Sequence, residues 1–88
     1  MAYTIEFRPA ARRDLKKLYR QAQLRVDAAI RLLQDNPHPP KAESLRGQWL
    51  NYLRIRTGDY RIIYFVEDDR LVVCVVRIGH RRDVYDLR

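Results

Sequence analysis

Cysteine is almost absent from this chain of 88 residues: one, Cys74, in the apolar run 71–76. A lone thiol excludes a disulfide framework and a zinc cluster, and a small buried packing residue is the expected reading. Histidine is nearly as scarce, with His38 and His80 only, and no carboxylates cluster with them, so no metal site is expected. The acidic run Glu67-Asp68-Asp69 lacks the twelve-residue calcium-loop pattern and reads as a hairpin tip. No stretch approaches the roughly 18 uncharged apolar residues that would suggest a membrane span. The first residues, MAYTIEF, have no basic region followed by an apolar run, so no secretory signal is expected, and the chain reads as cytoplasmic. Neither internal repeats nor low-complexity segments occur.

Cation is abundant. Eighteen Lys and Arg face eleven Asp and Glu, a formal charge of +7 with an isoelectric point near 10.1. Only three of the eighteen are lysine (Lys16, Lys17, Lys41), leaving fifteen arginines. A guanidinium presents a planar fork that grips phosphate through two hydrogen bonds, whereas an ammonium is a point charge. So much arginine on so small a chain points to a polyanion, or to an acidic protein partner.

The length fits a single domain, 1–88, with one thin core. Residues 3–7 alternate apolar and polar, the period of a half-buried strand. Pro9 suits a first helical turn, and Ala11, Leu15, Leu18 and Tyr19 recur at helical steps over 9–20. Ala22, Val26, Ala29, Ile30 and Leu33 mark a second helix over 22–35, stopped by the proline-rich 36–40. With little between them, the helices should fold back as a hairpin. Three strand signals follow. Residues 50–56 alternate, with Leu53 and Ile55 opposed to Tyr52, Arg54 and Arg56; 60–66 is β-branched and aromatic; 71–78 is nearly all apolar, as in a central strand. Thr57-Gly58-Asp59 is the first turn, and the last run is expected to turn at Gly79. The order β-α-α-β-β-β predicts an α+β domain, its two-helix hairpin packed on one face of a largely antiparallel four-stranded sheet.

Function is expected on the other face. If Leu53 and Ile55 face the helices, Arg54 and Arg56 project from the opposite side. Arg61 joins them if Ile62 and Tyr64 turn inward, and the final strand adds Arg77 and Arg81, with His80 and Tyr85 at the rim. Val84 tucked into the core would turn Tyr85 outward. The basic helix surface (Arg12, Arg13, Lys16, Lys17, Arg20, Arg25, Arg31) reads as solvated charge at any one residue, with a grip on nucleic acid as the alternative.

"LRIRTGDYRIIYFVEDDRLVVCVVRIGHRRDVY", residues 53–85, resembles the C-terminal half of the RelE/ParE superfamily of bacterial toxins. "IEFRPAARRDLKKL" and "NPHPPKAESLRGQWL" fit its N-terminal half, so the resemblance covers essentially the whole chain. It rests most on Arg-x-Arg-x-Gly-Asp-Tyr-Arg at 54–61 and Gly-His-Arg-Arg-Asp-Val-Tyr at 79–85.

The resemblance implies the RelE-like microbial RNase fold and a type II toxin: a ribosome-dependent endoribonuclease cutting messenger RNA in the A site. The 2′-hydroxyl of one nucleotide would attack the adjacent phosphate without a metal or other cofactor, giving a 2′,3′-cyclic phosphate and a 5′-hydroxyl. The family's catalytic positions fall on Arg61, Arg81 and Tyr85, with Arg54 and Arg56 on substrate. Arg77 is added as a substrate contact from its place on the last strand. Family members can carry lysines where this chain has Arg54 and Arg56, and arginine cannot serve as the base. His80, the nearby group that titrates near neutrality, is therefore a candidate proton-transfer residue. The implied partners are a RelB-like antitoxin with an acidic C-terminal segment, the ribosome and messenger RNA, with operator DNA bound only through the antitoxin. Two alternatives remain: a ParE-like toxin that inhibits DNA gyrase without cutting RNA, and a degenerate toxin acting only in operon co-repression.

Overall fold

β1 (Thr4–Phe7) lifts the chain to Pro9, which occupies the first position of α1 (Pro9–Lys17). The computed structural model describes residues 2–80. α1 ends earlier than periodicity alone predicts, because Leu18 and Tyr19 are extended (ψ 144° and 164°) and α2 (Arg20–Asp35) starts at once. The Leu18 N–H and the Gln23 side-chain amide both donate to the Leu15 carbonyl, closing the end of α1. β2 (Glu43–Ser44), a 3₁₀ turn (Gly47–Trp49), β3 (Leu53–Thr57), β4 (Tyr60–Glu67) and β5 (Val72–His80) follow. The β3–β4 hairpin turns on Gly58 and Asp59. Gly58 has φ +59°, and the Arg25 guanidinium lies where any Cβ would stand.

The α+β reading holds, with one added strand. The sheet runs β1-β5-β4-β3-β2, and β2 pairs antiparallel with β3 through Glu43–Arg54 and Ser44–Leu53. β1 and β5 are parallel, since the helical hairpin returns the chain before the meander begins; the other pairs are antiparallel. Ala11, Val26, Ile30 and Leu33 of the helices pack against Ile55, Ile62, Tyr64, Val73, Val75 and Ile78 of the sheet. Each buried Val, Ile or Leu among them contributes roughly 1.5–3 kcal/mol on burial. The Tyr64 hydroxyl, inside that core, donates to the Pro37 carbonyl at 2.9 Å, tying the proline segment to the sheet.

β5 runs to His80, so Gly79 lies within the strand opposite Arg61 and does not form the expected turn. β1 pairs only with Val72–Val75, which leaves the remainder of that edge of β5 to α1. There the Asp14 carboxylate accepts the Ile78 N–H at 3.0 Å, replacing a ladder bond. Among the described residues, no helix is long and apolar enough to cross a membrane.

Candidate functional site

Strand alternation sorts the sheet as expected. Leu53, Ile55, Ile62 and Tyr64 join the helix-side core, so Arg54 and Arg56 of β3 and Arg61 of β4 share the opposite face. Arg56 stands directly across from Arg61, and Arg54 across from Ile63. Like charges facing each other across strands repel, and β2 supplies the counter-charge. Glu43 accepts from Arg54 Nη2 at 3.1 Å through one oxygen and from Arg56 Nε at 3.0 Å through the other. The Arg54 hydrogen bond, reinforced by Arg56, holds the Glu43 carboxyl below the usual carboxylate range, so it is ionised at neutral pH. Arg54 and Arg56 are therefore partly neutralised, an arrangement alternation could not disclose. Glu43 was invisible in the sequence because a two-residue strand carries no period.

Arg61 is the buried cation, only 7% exposed. Its Nε has no acceptor among the described residues, nor has the Nε of Arg54, and both atoms are out of contact with solvent. Leaving a buried donor unsatisfied costs about 1–3 kcal/mol, more for a charged group. Two guanidinium groups on neighbouring strands, beside the exposed Arg56, concentrate positive charge on this face and suit it to an anion that brings its own oxygens. A tetrahedral phosphate has them on several sides.

The same face carries aromatic rings. Tyr52 precedes Arg54 by two residues and meets Phe65 of β4 edge-on at 5.5 Å; Trp49 meets Tyr52 edge-on at 5.3 Å. The Arg8 guanidinium lies over the Phe65 ring, 5.5 Å from its centroid. Cys74, across from Phe65, is buried as expected, and burial pushes its thiol up.

Two expected site residues are engaged otherwise. Arg77, opposite Ile63 in register, has its guanidinium committed to Asp14 of α1, through Nε at 2.8 Å and Nη2 at 3.2 Å. Asp14 sits 63 residues away in sequence, so no local pattern could have announced the pair. His80 follows the parity of Tyr60: it packs edge-on against that ring at 5.7 Å and lines a helix-side cleft of about 350 Å³ with Tyr19, Ala22 and Arg25. The expected proximity of His80 to Arg61 fails because the strand continues through Gly79 and the next side chain turns to the other side. Arg81, Val84 and Tyr85 lie outside the described residues.

A family model described as the ParE toxin of the type II toxin–antitoxin system parDE matches residues 5–85. The chain is 36% identical over 90 residues to an Escherichia coli protein with a RelE-like toxin designation, covering 99% of this chain and 94% of that one. It is 29% identical over 82 residues to the mRNA interferase toxin RelE of Escherichia coli K12, covering 92% and 85% respectively. Its fold superposes on the toxin–antitoxin complex RelBE2 of Mycobacterium tuberculosis with a TM-score of 0.84 at 30% identity, over 92% of this chain and 93% of that chain.

Proposed function

Because the chain belongs to the RelE/ParE toxin superfamily of type II toxin–antitoxin systems, we propose that it acts as a ribosome-dependent endoribonuclease. The observation that carries this reading is the buried Arg61 guanidinium on the sheet face of Arg54 and Arg56, its Nε without an acceptor among the described residues. An in-line attack of a ribose 2′-hydroxyl on the neighbouring phosphate crowds negative charge onto the equatorial oxygens. Donors already oriented at that charge lower the barrier without reorganising. Arg61 supplies the fixed cation; Arg54 and Arg56, braced by Glu43, hold the backbone in register. Arg81 and Tyr85 complete the set that the resemblance implies. The likeness to a relative named as an mRNA interferase supports the same chemistry.

A toxin of this class has an antitoxin, and solved neighbours of this fold are toxin–antitoxin complexes. The partner we propose here is a RelB-like chain with an acidic segment, attracted by the charge of +7. Ribosome and messenger RNA are the proposed targets.

The test is single-turnover cleavage of messenger RNA on programmed ribosomes with chelator present. Wild type should yield fragments cut at the A-site codon with 2′,3′-cyclic phosphate ends. Arg61→Ala and Arg81→Ala should each lose on the order of 10³-fold in rate, by analogy with arginines in phosphoryl transfer. The ParE description of the matching family model favours a second reading, a gyrase inhibitor. Intact messenger together with stalled DNA supercoiling would establish that reading and overturn the nuclease.

A further inference from the structure

Trp49, Tyr52 and Phe65 are half-buried on the sheet face that the helices leave uncovered, outside the helix-side core. Their placement takes unusual backbone. Gly47 (φ +66°) opens the 3₁₀ turn and Asn51 (φ +75°) closes the loop in the left-handed region, which asparagine tolerates better than most residues. Between them the Leu50 N–H donates to the Gly47 carbonyl and the Tyr52 N–H to the Trp49 carbonyl. The loop thus folds the indole against Tyr52 at an interplanar angle of 82°, and Tyr52 against Phe65 at 70°. Each ring is fixed by its neighbour.

The row is continuous with the guanidinium set. Tyr52, just before β3, and Arg54 and Arg56 within it occupy one face at two-residue steps of about 6.5–7 Å. Arg61 and Ile63 of β4 run beside Arg56 and Arg54 in antiparallel register, and Phe65, two residues on, meets Tyr52. A ligand with phosphate oxygens against the guanidinium face of Arg54, Arg56 and Arg61 therefore meets an aromatic surface one step further along. Single-stranded RNA offers that alternation, a phosphate and then a planar base.

We infer that Trp49, Tyr52 and Phe65 form a base-stacking row that holds nucleotides flanking the phosphate bound at Arg54 and Arg61. This assignment rests on the RNA-directed reading above and adds the contacts that would hold the bases beside the cut. Phe65 is backed by Arg8, and Tyr52 and Trp49 extend the row towards the loop. Stacking on such rings is sequence-tolerant because every base has a π-face.

The experiment compares the purified chain's affinity for labelled hexauridylate with that for an abasic phosphodiester of equal length, by anisotropy. Emission of Trp49, the chain's one tryptophan, reports where the strand lies. Wild type should prefer the base-bearing strand, which quenches Trp49. Tyr52→Ala should lose five-fold or more for hexauridylate with little change for the abasic strand, Tyr52→Phe should restore binding, and Arg61→Ala should weaken both strands. Trp49→Ala, in the loop, gives the same comparison should Tyr52→Ala fail to fold by circular dichroism. Equal affinity of wild type for the two strands overturns the inference. So does a folded Tyr52→Ala that binds hexauridylate normally, including one that loses only an acidic antitoxin peptide and so assigns the row to the protein partner. A chain that binds bases through Tyr52 yet cuts no messenger would sink the nuclease reading and leave the row standing.

Discussion

Asp14 binds Arg77 through both carboxylate oxygens, and the same oxygen that meets Arg77 Nε at 2.8 Å accepts the Ile78 N–H at 3.0 Å. One carboxylate on α1 therefore satisfies a strand edge and immobilises a cation that would otherwise project from β5. This contact reassigns Arg77 from substrate binding to the architecture of the sheet.

Removing that carboxylate leaves a buried-edge amide and a guanidinium without their acceptor. Asp14→Ala should destabilise the fold by about 1–3 kcal/mol, lowering the thermal midpoint by more than about 5 °C. Arg77→Ala should cost less in the Asp14→Ala background than in wild type, as a double-mutant cycle of thermal unfolding would measure. Additive effects would mean that the pair is not coupled.

Tyr64 gives an alkaline signature. Burial pushes its phenol up to about 12 from an ordinary 10.0. Between those values the unfolded chain loses the proton and the native chain keeps it, so the native state binds more protons and stability falls as pH rises. The contribution is fully present below about pH 10 and gone above about pH 12, a change on the order of 2 kcal/mol. Tyr64→Phe should flatten that decline in urea titrations across the range. It should also lower stability at neutral pH by about 1 kcal/mol through loss of the bond to the Pro37 carbonyl.

Glu43 makes the affinity for phosphodiesters depend on pH and salt. Glu43→Gln should tighten binding of a short oligonucleotide several-fold at low salt and steepen its salt dependence, since a counter-charge leaves the face. Its carboxyl is depressed by Arg54 and then Arg56, so the ion pairs persist through neutral pH and are lost only as pH falls through that lowered value. Wild-type affinity should approach that of the variant only at a pH below the ordinary carboxylate range, where Glu43 takes up its proton. Anisotropy at two pH values measures both effects, and a variant that binds more weakly would contradict them.

His80 packs on Tyr60 at the helix side of the sheet. His80→Ala should therefore leave single-turnover cleavage within a few-fold of wild type and its pH profile unshifted. A loss of a hundred-fold or more at unchanged stability would return the imidazole to the chemistry.

The strands and helices were legible because their periods are local. Ile62 and Tyr64 alternate with Arg61 and Ile63, and that alone sends Arg61 to the face of Arg54 and Arg56. β2 escaped notice because Glu43 and Ser44 are too few to show a period. The break at Leu18 and Tyr19 escaped because neither residue is a glycine or proline. Gly79 was read as a stop, but pairing with Arg61 holds it in the strand, and that one extra step turns His80 to the opposite side.

The order of the helices and main strands, and the sheet face rich in guanidinium, are written in local periodicity, because side-chain direction along a strand is set by backbone geometry over two residues. Which of those cations is engaged depends on the assembled fold. Glu43 reaches Arg54 across 11 positions and Asp14 reaches Arg77 across 63, and no local rule states where a distant carboxylate will land. The burial of Arg61, its Nε without an acceptor among the described residues, emerges only when all the strands are in place.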